Sequence, residues 1–112
     1  MSQAASEQIT KEVTSWPGVT AGTGRRGEFA FTVGRKEIGH LHGDSSAHFF
    51  FPKPIWRELR DQGRIGEHPV FPGRQGPAAR RIEDDDDVRD VIDLLRLNYD
   101  RFIARPAAAS ER

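Results

Sequence analysis

Between Glu28 and His42 the chain reads EFAFTVGRKEIGHLH, and this run constrains the fold more than any other. Phe29, Phe31 and Val33 alternate with Ala30 and Thr32, the two-residue period of a strand with one buried face. Gly34 with Arg35 or Lys36 supplies a reversal, and the alternation resumes at Ile38, His40 and His42. Strands joined by so short a turn pair antiparallel. Parity then decides which side chains share a face. A loop of two or four residues puts Phe29, Phe31 and Val33 beside Ile38, His40 and His42, whereas a loop of three puts the histidines opposite. The even loop is preferred because it leaves Arg35 and Glu37 to solvent. It predicts both imidazoles facing inward, beside phenylalanines.

A hairpin with one apolar face needs a cover. The closing segment supplies it, since Val88, Val91, Ile92, Leu95, Tyr99, Phe102 and Ile103 form one stripe of a helix from about Asp85 to Ala104. The run Asp84 to Asp87 reads as that helix's acidic first turn, one Asp serving as N-cap. It lacks the ligand spacing of a calcium loop. An opening helix is expected over Glu7 to Trp16, with Ser6 as N-cap and Ile9, Val13 and Trp16 on one stripe. Pro17-Gly18 ends it, and a strand through Val19 to Thr23 and a turn over Gly24 to Gly27 follow. Beyond the hairpin come a turn at Gly43 to Ser46 and a strand at His48 to Phe51. Pro54 fits the first turn of a helix running to about Gln62, with Ile55, Trp56 and Leu59 inward. Arg64 to Pro77, rich in Gly and Pro, reads as a loop before a last strand over Ala78 to Ile82. The expectation is an α+β fold, a mostly antiparallel sheet of about five strands with helices packed on one face, in the order α-β-β-β-β-α-β-α. A chain of 112 residues suits one domain. It is placed at 6–104, with flexible termini at 1–5 and 105–112.

Charge and composition narrow the function. Seventeen basic residues balance 17 acidic ones, which argues against a nucleic-acid partner that needs phosphate neutralised. No apolar run approaches the roughly 18 residues that cross a bilayer, so no membrane partner is expected. Cysteine is absent, removing disulfides, thiolate ligands and a Cys nucleophile. With no secretory leader pattern in MSQAASEQIT, a cytoplasmic location is expected. The oligomeric state stays open.

His40-Leu41-His42 carries the chemistry. Imidazoles at i and i+2 on a strand point the same way and suit one iron, zinc, copper or nickel ion. A third ligand could come from His68, His48, Asp44 or Glu67. The first half of a cupin pattern, Gly-x5-His-x-His from Gly34, is present without its following Glu. Against a site stands the plainer reading, that His40 and His42 are packed and hydrogen-bonded sheet residues. Without metal, the pair could serve as general base and orienting partner. The cofactor requirement therefore stays open between none and one divalent metal ion. Arg80 or Arg81 should face the interior or a partner, and a guanidinium there can hold an anionic group. Trp16 and Trp56 read as core anchors first and pocket walls second.

Lys36-Glu37-Ile38-Gly39-His40-Leu41-His42 resembles the luciferase-like domain family, to which fungal luciferase belongs. The resemblance continues through His48 to Phe51, the helix after Pro54, Gly63-Arg64-Ile65-Gly66-Glu67-His68-Pro69, and Asn98-Tyr99 in the closing helix. Trp16-Pro17-Gly18 and Phe51-Pro52-Lys53 also resemble bacterial members. It implies oxygen-dependent oxidation of a small aromatic or pyrone-type ligand, with His40, His42 and His68 as catalytic residues. Phe29, Phe31, Trp56 and Arg80 are then expected to line the ligand pocket. The alternative is a non-catalytic domain that binds a small ligand or a protein.

Overall fold

The computed structural model describes residues 4–23 and 29–110, with side chains to residue 104. The expected turn over Gly24 to Gly27 lies outside the described residues. Among those described, three helices and six strands follow the order α1 (Ala5–Val13), β1 (Val19–Thr23), β2 (Phe29–Val33), β3 (Lys36–His42), β4 (Ser46–Phe50), α2 (Lys53–Asp61), β5 (Gly66–Glu67), β6 (Pro77–Arg81) and α3 (Asp85–Ser110). The strands form one sheet in the order β1-β2-β3-β4-β6-β5, every neighbouring pair antiparallel. The α+β architecture with helices on one face is as expected.

Four boundaries differ from the expectation, each for a local reason. β5 lies inside the segment read as loop, and two residues are too short to show a period. α1 starts at Ala5, and Ser6 is not its N-cap. The Ser6 N–H instead donates to Asp44 Oδ1 at 2.9 Å, so the β3–β4 turn caps this helix end. Trp16 follows α1 in a turn, where its ring meets Tyr99 at 5.3 Å and the Tyr99 hydroxyl donates to Pro17 O at 2.6 Å. The α3 backbone runs on through Ser110, across an alanine-rich stretch of high helix propensity.

The core lies between the sheet and the helices. Ile9 and Val13 from α1, Phe31, Ile38, Leu41 and Phe49 from the sheet, Trp56 and Leu59 from α2, and Val91, Leu94 and Leu95 from α3 are all buried. Burying each such side chain favours folding by about 1.5–3 kcal/mol before entropy is set against it. The N-terminus of α3 is tied to β6 by charge: Arg80 reaches Asp87 at 2.7 Å and Asp90 at 3.5 Å, and Arg64 reaches Asp90 at 2.6 Å. Asp84 accepts the Asp87 N–H at 2.9 Å, the cap expected of the acidic run. No helix among the described residues is long and apolar enough to cross a membrane.

Candidate functional site

The site begins with one residue too many in β3. The hairpin loop is the expected two residues, with Val33 opposite Lys36 and Thr32 opposite Glu37. The next pair is Phe31 with Gly39, so Ile38 has no partner of its own. This bulge resets the parity. Lys36, before it, points to the α3 side, its Nζ 5.4 Å from the Phe102 ring centre, and Ile38 is fully buried. Gly39 also faces that side, where a Cβ would come within 2.6 Å of Leu95 Cδ2. Leu41 is buried there too, leaving Glu37, His40 and His42 together on the opposite, helix-free face. Both expectations from simple alternation are thereby corrected: the imidazoles do not face the core beside phenylalanines, and Glu37 does not turn away from them.

Two carbonyls, one buried and one partly buried, are met by one side chain. Asn98 on α3, 1% exposed, donates through Nδ2 to Ile38 O at 3.1 Å and to Phe50 O at 3.2 Å. Arg101 donates to Asn98 Oδ1 at 3.1 Å, which fixes the amide's orientation. Asn98 appeared in the sequence only as part of a resemblance. A polar residue interrupting the apolar stripe of α3 was the signal for its structural duty.

The registers place Gly22, Ala30, His40, His48, Ala79 and Gly66 in one row across six strands. Apart from the two histidines the row holds no side chain larger than a methyl group, so the imidazoles stand in a shallow trough. His42, two residues on from His40, pairs with Ser46. Ring centres are 4.9 Å apart for His40 and His42, 5.2 Å for His40 and His48, and 4.2 Å for His42 and His48. His68, just past β5, lies against His48 at 4.1 Å. All four histidines of the chain thus meet on one face.

Their hydrogen bonds separate their chemistry. His40 Nδ1 is 2.8 Å from Glu37 Oε2, which orients the ring and leaves Nε2 free. Such a contact between residues i and i+3 of one strand needs the bulge, because regular alternation sends them to opposite faces. At His68 the polarity is reversed. The Val70 N–H donates to His68 Nδ1 at 3.1 Å, so a neutral ring carries its proton on Nε2. Burial, followed by repulsion from His40 and His42, lowers the His68 pKa. His48, 8% exposed, is pushed to about 4, first by burial and then by the other three imidazoles. His48 and His68 are therefore neutral near pH 7.

Beside this face a cavity of about 330 Å³ is lined by Glu37, His40, Phe49, Phe50, His68, Phe71, Arg74 and Pro77. Phe50 is 65% exposed and Phe71 41%, so both rings present open apolar surface beside it. The Arg74 guanidinium lies 5.7 Å from the Phe71 ring centre.

A family model of the Luciferase domain matches residues 35–98, more than half of the chain and all four histidines. The chain belongs to that family. No curated protein and no solved structure matches it. Within this Luciferase domain the residues expected at the site divide sharply. His40, His42 and His68 come together. Phe31 is fully buried on the helix side, and Phe29 packs edge-on against it. Trp56 lies in the core, its indole N–H donating to Pro77 O at 2.9 Å. Arg80 faces α3 and its aspartates. The structure thus brings none of these four to the histidines. Of the candidate third ligands, His48 is the one within reach of both His40 and His42. Asp44 caps α1, and Glu67 accepts the Gly73 N–H at 3.1 Å. Phe50, Phe71 and Arg74 were missed because they belong to an exposed strand end and an irregular loop, where no period reports a facing direction.

Proposed function

We propose that this Luciferase domain oxidises a small, planar, acidic ligand of hydroxylated aromatic or pyrone type with molecular oxygen. One observation carries the reading: a cavity of about 330 Å³ sets Glu37–His40 and His68 beside two exposed rings and Arg74. The volume suits a ligand of one or two rings. Phe50 and Phe71 offer faces for stacking, and Arg74 offers a fork for an anionic oxygen.

The chemistry follows from the two imidazoles. His40 Nε2 takes the ligand's hydroxyl proton while Glu37 holds the ring and balances the charge formed. The His68 Nε2–H donates to the oxygen that becomes negative, as a neutral imidazole does when it stabilises an enolate. The enolate carbon gives an electron pair to dioxygen, forming a carbon–oxygen bond, and the proton returns from His40 to give a hydroperoxide. Carbon is oxidised by two electrons and dioxygen is reduced by two. Balanced overall charge and the size of the cavity favour a small molecule over a nucleic acid.

The test is oxygen uptake with a panel of hydroxylated pyrones and catechol-type compounds, alongside ligand binding. His40→Ala should reduce uptake at least about a hundredfold while binding changes little. Uptake unchanged in that variant would sink the assignment. Tight binding with no uptake by the natural chain would favour a binding domain instead.

A further inference from the structure

We propose that His40, His42 and His48 form a binding site for one divalent transition-metal ion, with one coordination position left open. One ligand nitrogen from each ring can be chosen so that all three lie within 4.8 Å of one another. An ion about 2.0–2.1 Å from each nitrogen sits roughly 3.2 Å from each ring centre. Inter-ligand angles between about 90° and 110° then require ring centres roughly 4.5–5.2 Å apart. The three observed separations are 4.2, 4.9 and 5.2 Å. His40 is thus spaced from His42 and from His48 as a tripod requires, while the His42–His48 pair stands about 0.3 Å too close, so side-chain rotations that part those two rings and turn the nitrogens inward complete the set.

Three further observations point to an ion rather than to packing. Among the described residues no hydrogen bond engages the ring nitrogens of His42 or His48, so their lone pairs are uncommitted. Glu37 holds His40 through Nδ1 at 2.8 Å, the carboxylate–histidine arrangement that orients a ligating imidazole and raises its basicity. The ligands also stand on rigid paired strands, His40 directly opposite His48. The donor set is imidazole without thiolate or carboxylate, which selects zinc, copper, nickel or iron(II) over magnesium and calcium. His68 is not a ligand, because its Nδ1 already accepts the Val70 N–H. Three ligands at a partly exposed face leave the fourth position to water or to an oxygen of a bound molecule.

This inference does not rest on turnover in the cavity. A bound ion would occupy His40 Nε2 and itself acidify a coordinated hydroxyl, so the two readings differ in which partner draws off the proton. The experiment uses the untagged full chain, stripped with chelator and titrated with cobalt(II) while visible ligand-field absorption is recorded. One cobalt per chain, displaced by zinc, is expected. His42→Ala, a change at an exposed position, should weaken binding at least tenfold with the far-ultraviolet circular dichroism unchanged. Glu37→Gln should weaken it about 10–100-fold without changing the stoichiometry, and His68→Gln should retain one ion per chain. Absence of saturable binding, or binding unaltered in His42→Ala, overturns the site; loss of binding in His68→Gln overturns the ligand assignment. A chain that binds cobalt but consumes no oxygen keeps this inference and loses the oxidation. Oxygen uptake that persists in the absence of any metal binding does the reverse.

Discussion

His48 does two things at once. It is nearly buried, and it is surrounded by three other imidazoles, so its charged form is disfavoured in the fold. The unfolded chain binds a proton at this ring near the ordinary histidine value of about 6.5, and the folded chain does so only near 4. Stability is therefore fully present above pH 6.5 and falls as the pH drops from there towards 4. In the metal-free protein the urea midpoint should be lower at pH 5 than at pH 7. His48→Phe, which removes the titration, should shrink that difference; an equal difference in the variant would remove His48 as its source. Gly39 makes a second demand at this scale. A methyl group there would press on Leu95 at 2.6 Å and Phe49 at 3.0 Å, so Gly39→Ala should destabilise the fold by about 1–3 kcal/mol in a denaturant titration. The histidine pair itself was legible in the sequence, because identity and spacing are all that a pair needs. Its facing was not legible, since facing depends on a count that one unpaired residue changes. Gly39, inside an otherwise regular strand, was the available sign of a bulge.

At the scale of elements, β3 is held in its irregular path by α3. Asn98 supplies both donors to carbonyls of Ile38 and Phe50, so Asn98→Leu leaves one buried and one partly buried acceptor without this partner. The expected cost is about 2–4 kcal/mol in urea unfolding, together with weaker cobalt binding as His40 loses its placement. A cost below about 0.5 kcal/mol would mean that the bulge holds itself. Long elements with one buried face were readable from the start: the stripe of α3 and the alternation of β2 each repeat often enough to declare a period. β5, two residues long, could not. The loop after it could not either, and it carries Phe71 and Arg74 to the cavity. The acidic run shows the opposite case, where ordinary helix-capping chemistry predicted its position and its cap, though not its ion pairs with Arg80 and Arg64.

For the whole molecule, a single sheet with helices on one side divides labour between its faces. The helix side holds the apolar core, and the other side holds the imidazoles, Glu37 and the exposed rings. Changes at His42 should consequently cost little stability while changing what the protein binds. Ligation should act in the other direction. With zinc at about 100 times its dissociation constant, the folded state gains about 2.7 kcal/mol, which thermal unfolding will register as a raised Tm. The gain should disappear in His42→Ala, and an equal rise in that variant would place the ion elsewhere. The family match runs from residue 35 to 98, so the bulge, all four histidines and Asn98 fall within one continuous stretch.

The bulge at Ile38 has a genetic consequence. Ile38 is the residue without a partner, so losing its single codon would bring Gly39 directly after Glu37 and leave every later pair as it stands. His40 and His42 would keep the open face and Leu41 the core, the loss being one buried apolar side chain rather than the site's orientation. A codon lost beyond the bulge, at Leu41, would have no such slack, and His42 would turn over. One strand thus holds a position where chain length can change by one beside positions where it cannot.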